Sequence, residues 1–423
     1  MPSTRLLIIG AGQRGQCYAE YARLHPDQAQ VVGVAEPRAA YRQRMAAAHR
    51  IPSAQVVADW RDLLRPGLAD AAIIATPDAL HTEPAIAFAG LGYDLLLEKP
   101  MAPTPQECQR VVAAVRANGV IFAVAHVLRY TSYTQKLKEL VTSGVIGDIV
   151  SIQHLEPVGF GHQAHSFVRG NWRKEAESSF MLLAKSCHDI DWLRYILGRR
   201  CVQVSSFGSL MHFRKERKPP EAGAALRCLD CAFEPRCAYS ARRIYFGLMA
   251  DRTIGPIVLD ILTPDHTAEG ILKALRQGPY GRCVYECDND VVDHQVVNLS
   301  YDNDATVSFT MTAFTEWGLH RQTRIFGTLG ELRGDGTQIT HYDFLTLTEQ
   351  VIAIPPATSE MLVHGDGDYL LMKRFVAAVA ANDQSLVLSG PEETLETHLT
   401  VFAAEQARRE HRVVEVAAAG CGK

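Results

Sequence analysis

Long apolar runs are what this chain has least of. Its most apolar stretch, Val111 to Leu128, is broken by Arg116, Asn118 and Gly119. It therefore lacks the roughly twenty continuous apolar residues that a membrane-crossing helix needs. Met1 to Arg5 leads straight into an apolar strand, without the apolar core and small-residue cleavage site of a secretory leader. Charge of one sign is also scarce. A formal net charge of −4 over 423 residues gives no electrostatic drive toward nucleic acid or an acidic membrane surface. Internal repeats and low-complexity segments are missing too. These absences lead to the expectation of a cytoplasmic protein that meets small molecules, with neither nucleic acid nor membrane as a partner.

What is present fits a globular enzyme: 47% hydrophobic and 21% charged residues. At about 100–200 residues per domain, the length calls for two or three domains. The 10 cysteines, without an export signal, read as thiols or metal ligands rather than a disulfide framework.

Leu6-Leu7-Ile8-Ile9 has the all-apolar pattern of a parallel strand buried on both faces. Gly10-Ala11-Gly12-Gln13-Arg14-Gly15 follows, then a helical stretch to His25-Pro26, then Val31 to Ala35, ending on Glu36. Each part has a physical job. Gly10 permits a tight turn, Gly12 lets backbone approach a pyrophosphate, and Gly15 lets helix and strand pack closely. The helix start at Gln13 and Arg14 offers free N–H groups and a positive dipole end. Glu36, 21 positions after Gly15, is placed to accept the hydroxyls of an adenosine ribose. The unit is therefore expected to hold a nicotinamide dinucleotide. Glu36 favours NAD by repelling a 2′-phosphate, whereas Arg14 and Arg38 can pair with one, so NADP stays open.

Strand and helix patterns keep alternating. Helices are expected over 41–49, 60–64, Thr82 to Gly90 and Pro105 to Asn118. Strands are expected at Val56-Val57, Ala71 to Ala75, Asp94 to Leu97 and Ile121 to Val124. Thr76-Pro77 and Glu98-Lys99-Pro100 then fall at strand ends, where parallel sheets bind ligands. The result is a doubly wound sheet over residues 1–126, followed by a second domain over 127–423.

Three landmarks coincide: the glycine loop, Ala75-Thr76-Pro77-Asp78-Ala79-Leu80-His81, and Glu98-Lys99-Pro100. With Leu137 to Gly147 and His188-Asp189-Ile190-Asp191, they resemble the glucose–fructose oxidoreductase, inositol dehydrogenase and rhizopine-catabolism (Gfo/Idh/MocA) family over essentially the whole chain. The resemblance implies an α/β Rossmann domain followed by an α+β domain on a large, mostly antiparallel sheet. That sheet's open face commonly pairs subunits into homodimers or homotetramers. The implied activity is oxidation or reduction of a secondary alcohol of a sugar or cyclitol. Lys99 takes the place of the lysine that contacts substrate, before a usually cis proline at Pro100. Thr76, Pro77 and His81 take places lining the nicotinamide, and Glu98 lies under the cofactor ribose.

Hydride transfer from a carbinol needs a proton acceptor and donors for the developing oxyanion. Lys99 suits the second task, and His188 can relay the proton. The family's aspartate, four residues before this histidine, is Ala184 here, and Lys185 is new. A second lysine near Lys99 would favour a neutral amine in one of them by like-charge repulsion. The expected constellation is thus Lys99, Lys185 and His188, the alternative being that Lys185 points to solvent. Arg129, Tyr130, His162, His165, Trp172 and Arg173 are polar or aromatic enough to line a sugar site, with rings stacking and the others bonding hydroxyls.

Cys228, Cys231 and Cys237 lie in an Arg-, Pro- and Gly-rich insertion at about 212–290, which lacks clear periodicity and would order poorly without a staple. With Cys283, slightly preferred over Cys287, they read as a structural zinc site, an iron–sulfur cluster or plain thiols being the alternatives. The insertion is expected to shape the substrate pocket. The other cysteines, Cys421 among them, read as unconnected. The leading functional reading is an NAD-dependent dehydrogenase acting on a sugar-like hydroxyl. The alternatives are an NAD-dependent glycoside-cleaving enzyme using transient oxidation and elimination, and a non-catalytic dinucleotide-binding regulator.

Overall fold

Helices cover both faces of the first strand, which is why every residue of Leu6-Leu7-Ile8-Ile9 is buried. The computed structural model describes residues 3–252, 254–354 and 363–418; Cys421 lies outside them. The first sheet comprises β1 (Thr4–Ile9), β2 (Ala29–Ala35), β3 (Val56–Val57), β4 (Ala71–Ile74), β5 (Asp94–Leu97) and β6 (Phe122–Val124). All pairings are parallel, in the order β3-β2-β1-β4-β5-β6. The order in which strands are added reverses between β1 and β4, opening a crevice at the carboxyl edge.

Leu6 and Ile8 pack with Tyr18 and Ala22 of helix Gln13–Leu24 and with Leu371 and Phe375 of helix Gly367–Ala381. Leu7 and Ile9 face the other way, joining Phe88 and Val111 of helices Thr82–Gly90 and Pro105–Asn118. Period-2 alternation sends successive side chains to opposite cores. The sheet is therefore completed by a helix from far beyond residue 126.

The second sheet contains β7 (Ile149–Pro157), β8 (Cys201–Ser209), β9 (His294–Tyr301), β10 (Thr306–Thr312), β11 (Gln322–Gly327), β12 (Gly330–Gly334), β13 (Gln338–Asp343) and β14 (Thr348–Ala353). The strand Val414–Glu415 adds to its edge, beside β8. The order is β14-β13-β12-β11-β7-β10-β9-β8 and then that edge strand. Among the described residues only β7 with β10 is parallel; the other pairings are antiparallel. One face packs on helix Cys187–Leu197, with Ile152, Phe309 and Ile325 against Ile190 and Leu193. On the other face a shallow trough is lined by Ser151, Gln153, Ser205, Asn298, Ser308 and Val413.

The insertion departs from the irregular loop expected of it. It folds helices Ala241–Ala250, Gly255–Leu262 and Ala268–Gln277 around an apolar cluster of its own, including Phe213, Ile244, Tyr245, Leu248, Ile271, Leu275 and Val284. Apolar burial, rather than a metal staple, supplies its core.

Candidate active site

At the carboxyl edge of the first sheet, Gly10 has φ +95°, and a Cβ there would lie 2.5 Å from the carbonyl oxygen of Ala75. A Cβ on Gly15 would lie 1.9 Å from the Gly10 carbonyl oxygen, so only glycine lets this helix start so close to its strand. At Gly12 the nearest atom would be Arg38 Nη2 at 3.4 Å. Backbone here is open to a ligand, and the residues fit the pyrophosphate role. Glu36 is buried and accepts from the Ala11 N–H at 3.0 Å and from Arg38 Nε at 2.8 Å. Burial opposes its ionisation, yet the Arg38 hydrogen bonds hold its carboxyl below the usual range.

Arg14 points away from this end. Its Nε donates to Glu98 Oε1 at 2.5 Å and its Nη2 to Asp368 Oδ1 at 2.5 Å, in a network completed by Tyr18. With its guanidinium spent on two buried carboxylates, Arg14 is no partner for a 2′-phosphate. That expectation is corrected. Glu98 is likewise engaged within the protein; its Oε2 accepts the Lys99 N–H at 2.7 Å and so fixes the backbone at Lys99.

The Lys99–Pro100 peptide is cis. His81 clamps the neighbouring loops together: Nδ1 lies 2.8 Å from the Pro100 oxygen and Nε2 2.9 Å from the Thr76 oxygen. It is buried, so it positions Thr76 and Pro100 through backbone rather than offering its ring to a ligand. Lys99 crosses to the second domain, where Nζ donates to the carbonyl of Ala184 at 2.7 Å. Lys185 and His188 follow within one turn, and His188 packs edge-on against His126 at 5.6 Å between centroids. The constellation Lys99, Lys185 and His188 thus surrounds the start of helix Cys187–Leu197. Lys185 is ion-paired, with Nζ 2.9 Å from Glu156 Oε1. The charge beside it is a carboxylate, which replaces the isolated lysine pair expected from sequence.

Family models match both halves: the oxidoreductase family's NAD-binding Rossmann fold over residues 4–126 and its C-terminal alpha/beta domain over 138–416. The chain belongs to the Gfo/Idh/MocA oxidoreductase family.

Its relatives include the putative oxidoreductase YteT of Bacillus subtilis, 25% identical over 74% of this chain and 73% of that protein. Others are the 2,7-anhydro-N-acetylneuraminate hydratase of Mediterraneibacter gnavus, 29% identical over 49% of this chain and 53% of its own, and the levoglucosan dehydrogenase of Pseudarthrobacter phenanthrenivorans, 28% identical over 42% and 45%. Apart from YteT, the chain spans about half the length of these relatives. A levoglucosan dehydrogenase structure with NADH and L-sorbose shares the fold at a TM-score of 0.72 and 18% identity, covering 99% of this chain and 100% of that one. Among the described residues, no helix is long and apolar enough to cross a membrane.

In this family member several expected substrate ligands are structural instead. Arg129 is fully buried, bidentate to Asp191 at 2.6 and 2.7 Å and bonded to Glu393 at 2.5 Å. The Tyr130 hydroxyl is paired with Ser389 Oγ at 2.8 Å. His165 bonds the Tyr245 hydroxyl at 2.9 Å and stacks on Tyr280 inside the insertion. The polar groups of Arg129 and Tyr130 are buried and already bonded, so neither is placed to serve a sugar. Arg173 is tied to Asp288 and Glu177. Trp172 packs beside Phe167 at 6.1 Å, and His162 Nδ1 lies 3.2 Å from Ser166 Oγ.

Cys228, Cys231, Cys237 and Cys283 do line one small cavity, but Arg169 shares it, donating to Cys228 Sγ at 3.4 Å. A guanidinium thus stands among the sulfurs. Among the described residues no group could hold a metal ion. The zinc expectation is corrected on these grounds.

Sequence reasoning missed Glu156 and Arg321 altogether, and read Asp189 only as part of a helix. Arg321 Nε reaches Asp189 Oδ1 at 2.5 Å and its Nη2 reaches Glu156 Oε2 at 2.9 Å. No local motif marks them; strand pairing across more than 160 residues brings them together.

Proposed function

We propose that this family member is an NAD-dependent dehydrogenase that moves a hydride between nicotinamide and a secondary hydroxyl or keto carbon of a sugar, cyclitol or sugar derivative. The observation that carries the reading is the crossing of Lys99 from the dinucleotide sheet to the Ala184 carbonyl, one turn before His188. Bound NAD supplies the hydride acceptor. The hydroxyl proton must then go to protein: Lys99 donates to the oxygen as charge builds, and His188 takes the proton. Glu36, kept ionised by Arg38, selects NAD because a 2′-phosphate would meet its negative charge. Levoglucosan dehydrogenase among the relatives supports a sugar-like substrate.

A second reading comes from the anhydrosialate hydratase relative: transient oxidation, elimination and re-reduction with no net NADH. The presence of both Lys99 and His188, brought to the start of one helix, argues against a non-catalytic regulator. The trough on the second sheet, flanked by the exposed side chains Phe207 and Val413, supports pairing into a homodimer or homotetramer. A panel of sugars, cyclitols and anhydrosugars assayed with NAD tests the function. Accumulating NADH supports the dehydrogenase, product without NADH supports the second reading, and inertness toward every member contradicts both.

A further inference from the structure

The covered face of β7 presents His154 and Glu156, two residues apart, toward the helix start that carries His188 and Asp189. His154 stacks on Trp192 with centroids 4.9 Å apart, and its Nδ1 bonds Thr323 Oγ1 at 2.7 Å, which fixes the row. In β11, Gln322 pairs with Leu155, so the next step of the antiparallel register sets Arg321 beside Glu156. Glu156 is buried, its side chain 4% exposed, yet it carries two cations, Lys185 on Oε1 and Arg321 on Oε2, both 2.9 Å away. Arg321 is shared in turn with the wholly buried Asp189, which also takes His154 Nε2 at 3.3 Å. The side chains of Lys185 and Arg321 stay about one-fifth and one-quarter exposed, at 21% and 25%, and Lys185 directly follows Ala184, whose carbonyl accepts from Lys99 Nζ.

We infer that Glu156 and Arg321 are positioning residues that hold Lys185 against the reacting oxygen of the substrate. Lys185 thereby becomes a second hydrogen-bond donor beside Lys99, in a position one residue after the alanine that stands where family members commonly place an aspartate. A carboxylate locked by two cations cannot rotate away, so the ammonium it holds is preorganised for charge that develops in the transition state. Lys185 is paired with Glu156 of β7, and Arg321, just before β11, links that carboxylate to Asp189 of the helix. This inference rests on the dehydrogenase reading only for its kinetic arm.

Two arms test it on the full chain with NADH bound. In the first, acetic anhydride labels Lys185 at one fixed pH and mass spectrometry reads the rate. Glu156→Gln releases the ammonium from the carboxylate that holds it, so Lys185 is expected to label about threefold faster or more; an unchanged rate overturns the inference. Lys185→Gln, at a partly exposed position, keeps the second arm independent of how well Glu156→Gln folds. On the panel substrate with the highest kcat/KM, Lys185→Gln is expected to lower kcat at least about tenfold with the KM for NAD unchanged. Glu156→Gln combined with Lys185→Gln is expected to be no slower than Lys185→Gln alone. Multiplying losses, or a neutral Lys185→Gln, overturn the inference. A panel without any turnover counts against the dehydrogenase reading, and the labelling arm still decides this one.

Discussion

We propose that cofactor choice turns on one side chain. Glu36 is fixed by four hydrogen bonds, one from Ala11 and three from Arg38, so its charge sits where an adenosine ribose lies in this fold. Glu36→Ser should free the Arg38 guanidinium to take a 2′-phosphate. The ratio of kcat/KM with NAD to that with NADP is expected to fall at least about tenfold, as initial rates with each coenzyme will show. Two buried histidines set a second residue-scale effect. Burial pushes His126 down to about 3 and His165 down to about 4. Both are neutral in the folded chain, whereas the unfolded chain protonates them below about pH 6.5. The unfolded state then binds more protons, so stability is lost as pH falls from about 6.5 toward 4. The slope is up to about 1.4 kcal/mol per pH unit for each histidine. Urea melts between pH 7 and 5 should show this loss, and His126→Gln a shallower one; equal slopes would contradict the assignment.

Arg129 ties three elements together near the site. It links the turn Val127–Tyr130 to helix Cys187–Leu197 through Asp191 and to helix Pro391–Glu410 through Glu393. Arg129→Met leaves Asp191 buried without its cation, and should cost about 3–5 kcal/mol in thermal or urea unfolding. The KM for substrate should stay unchanged in the protein that remains folded; a raised KM with full stability would restore Arg129 as a sugar ligand. Regular elements were easy to read from sequence because period-2 and helical patterns are local: helices Thr82–Gly90 and Pro105–Asn118 fall where expected. The insertion was not. Ile271 and Leu275 have helical spacing, but the Arg, Pro and Gly content around the cysteines masked it. Asp366 stands at the N-cap of helix Gly367–Ala381, and its carboxylate accepts from the backbone N–H of Ser132, on a different helix.

Across the whole molecule, the dinucleotide cradle was legible because its parts are consecutive and each glycine has one physical reason. On the proposed substrate side, Lys99 and His188 lie in local motifs, and the fold brings Lys99 to the carbonyl of Ala184 one turn before His188. Arg129, Tyr130 and His165 look from sequence like sugar ligands, since buried networks and binding sites draw on the same residue types. What separates them is burial, which depends on packing between distant segments. Glu156 and Arg321 were invisible for the complementary reason: their adjacency is a product of the β7–β11 register. The central claim is that Lys99 delivers the bond to the substrate oxygen in a hydride transfer to NAD. Its most direct test is Lys99→Ala on the best panel substrate, with NADH formation and NADH binding followed on the same preparation. A fall in kcat/KM of about 10²–10³ with NADH binding intact is predicted; undiminished NADH formation by Lys99→Ala would contradict it.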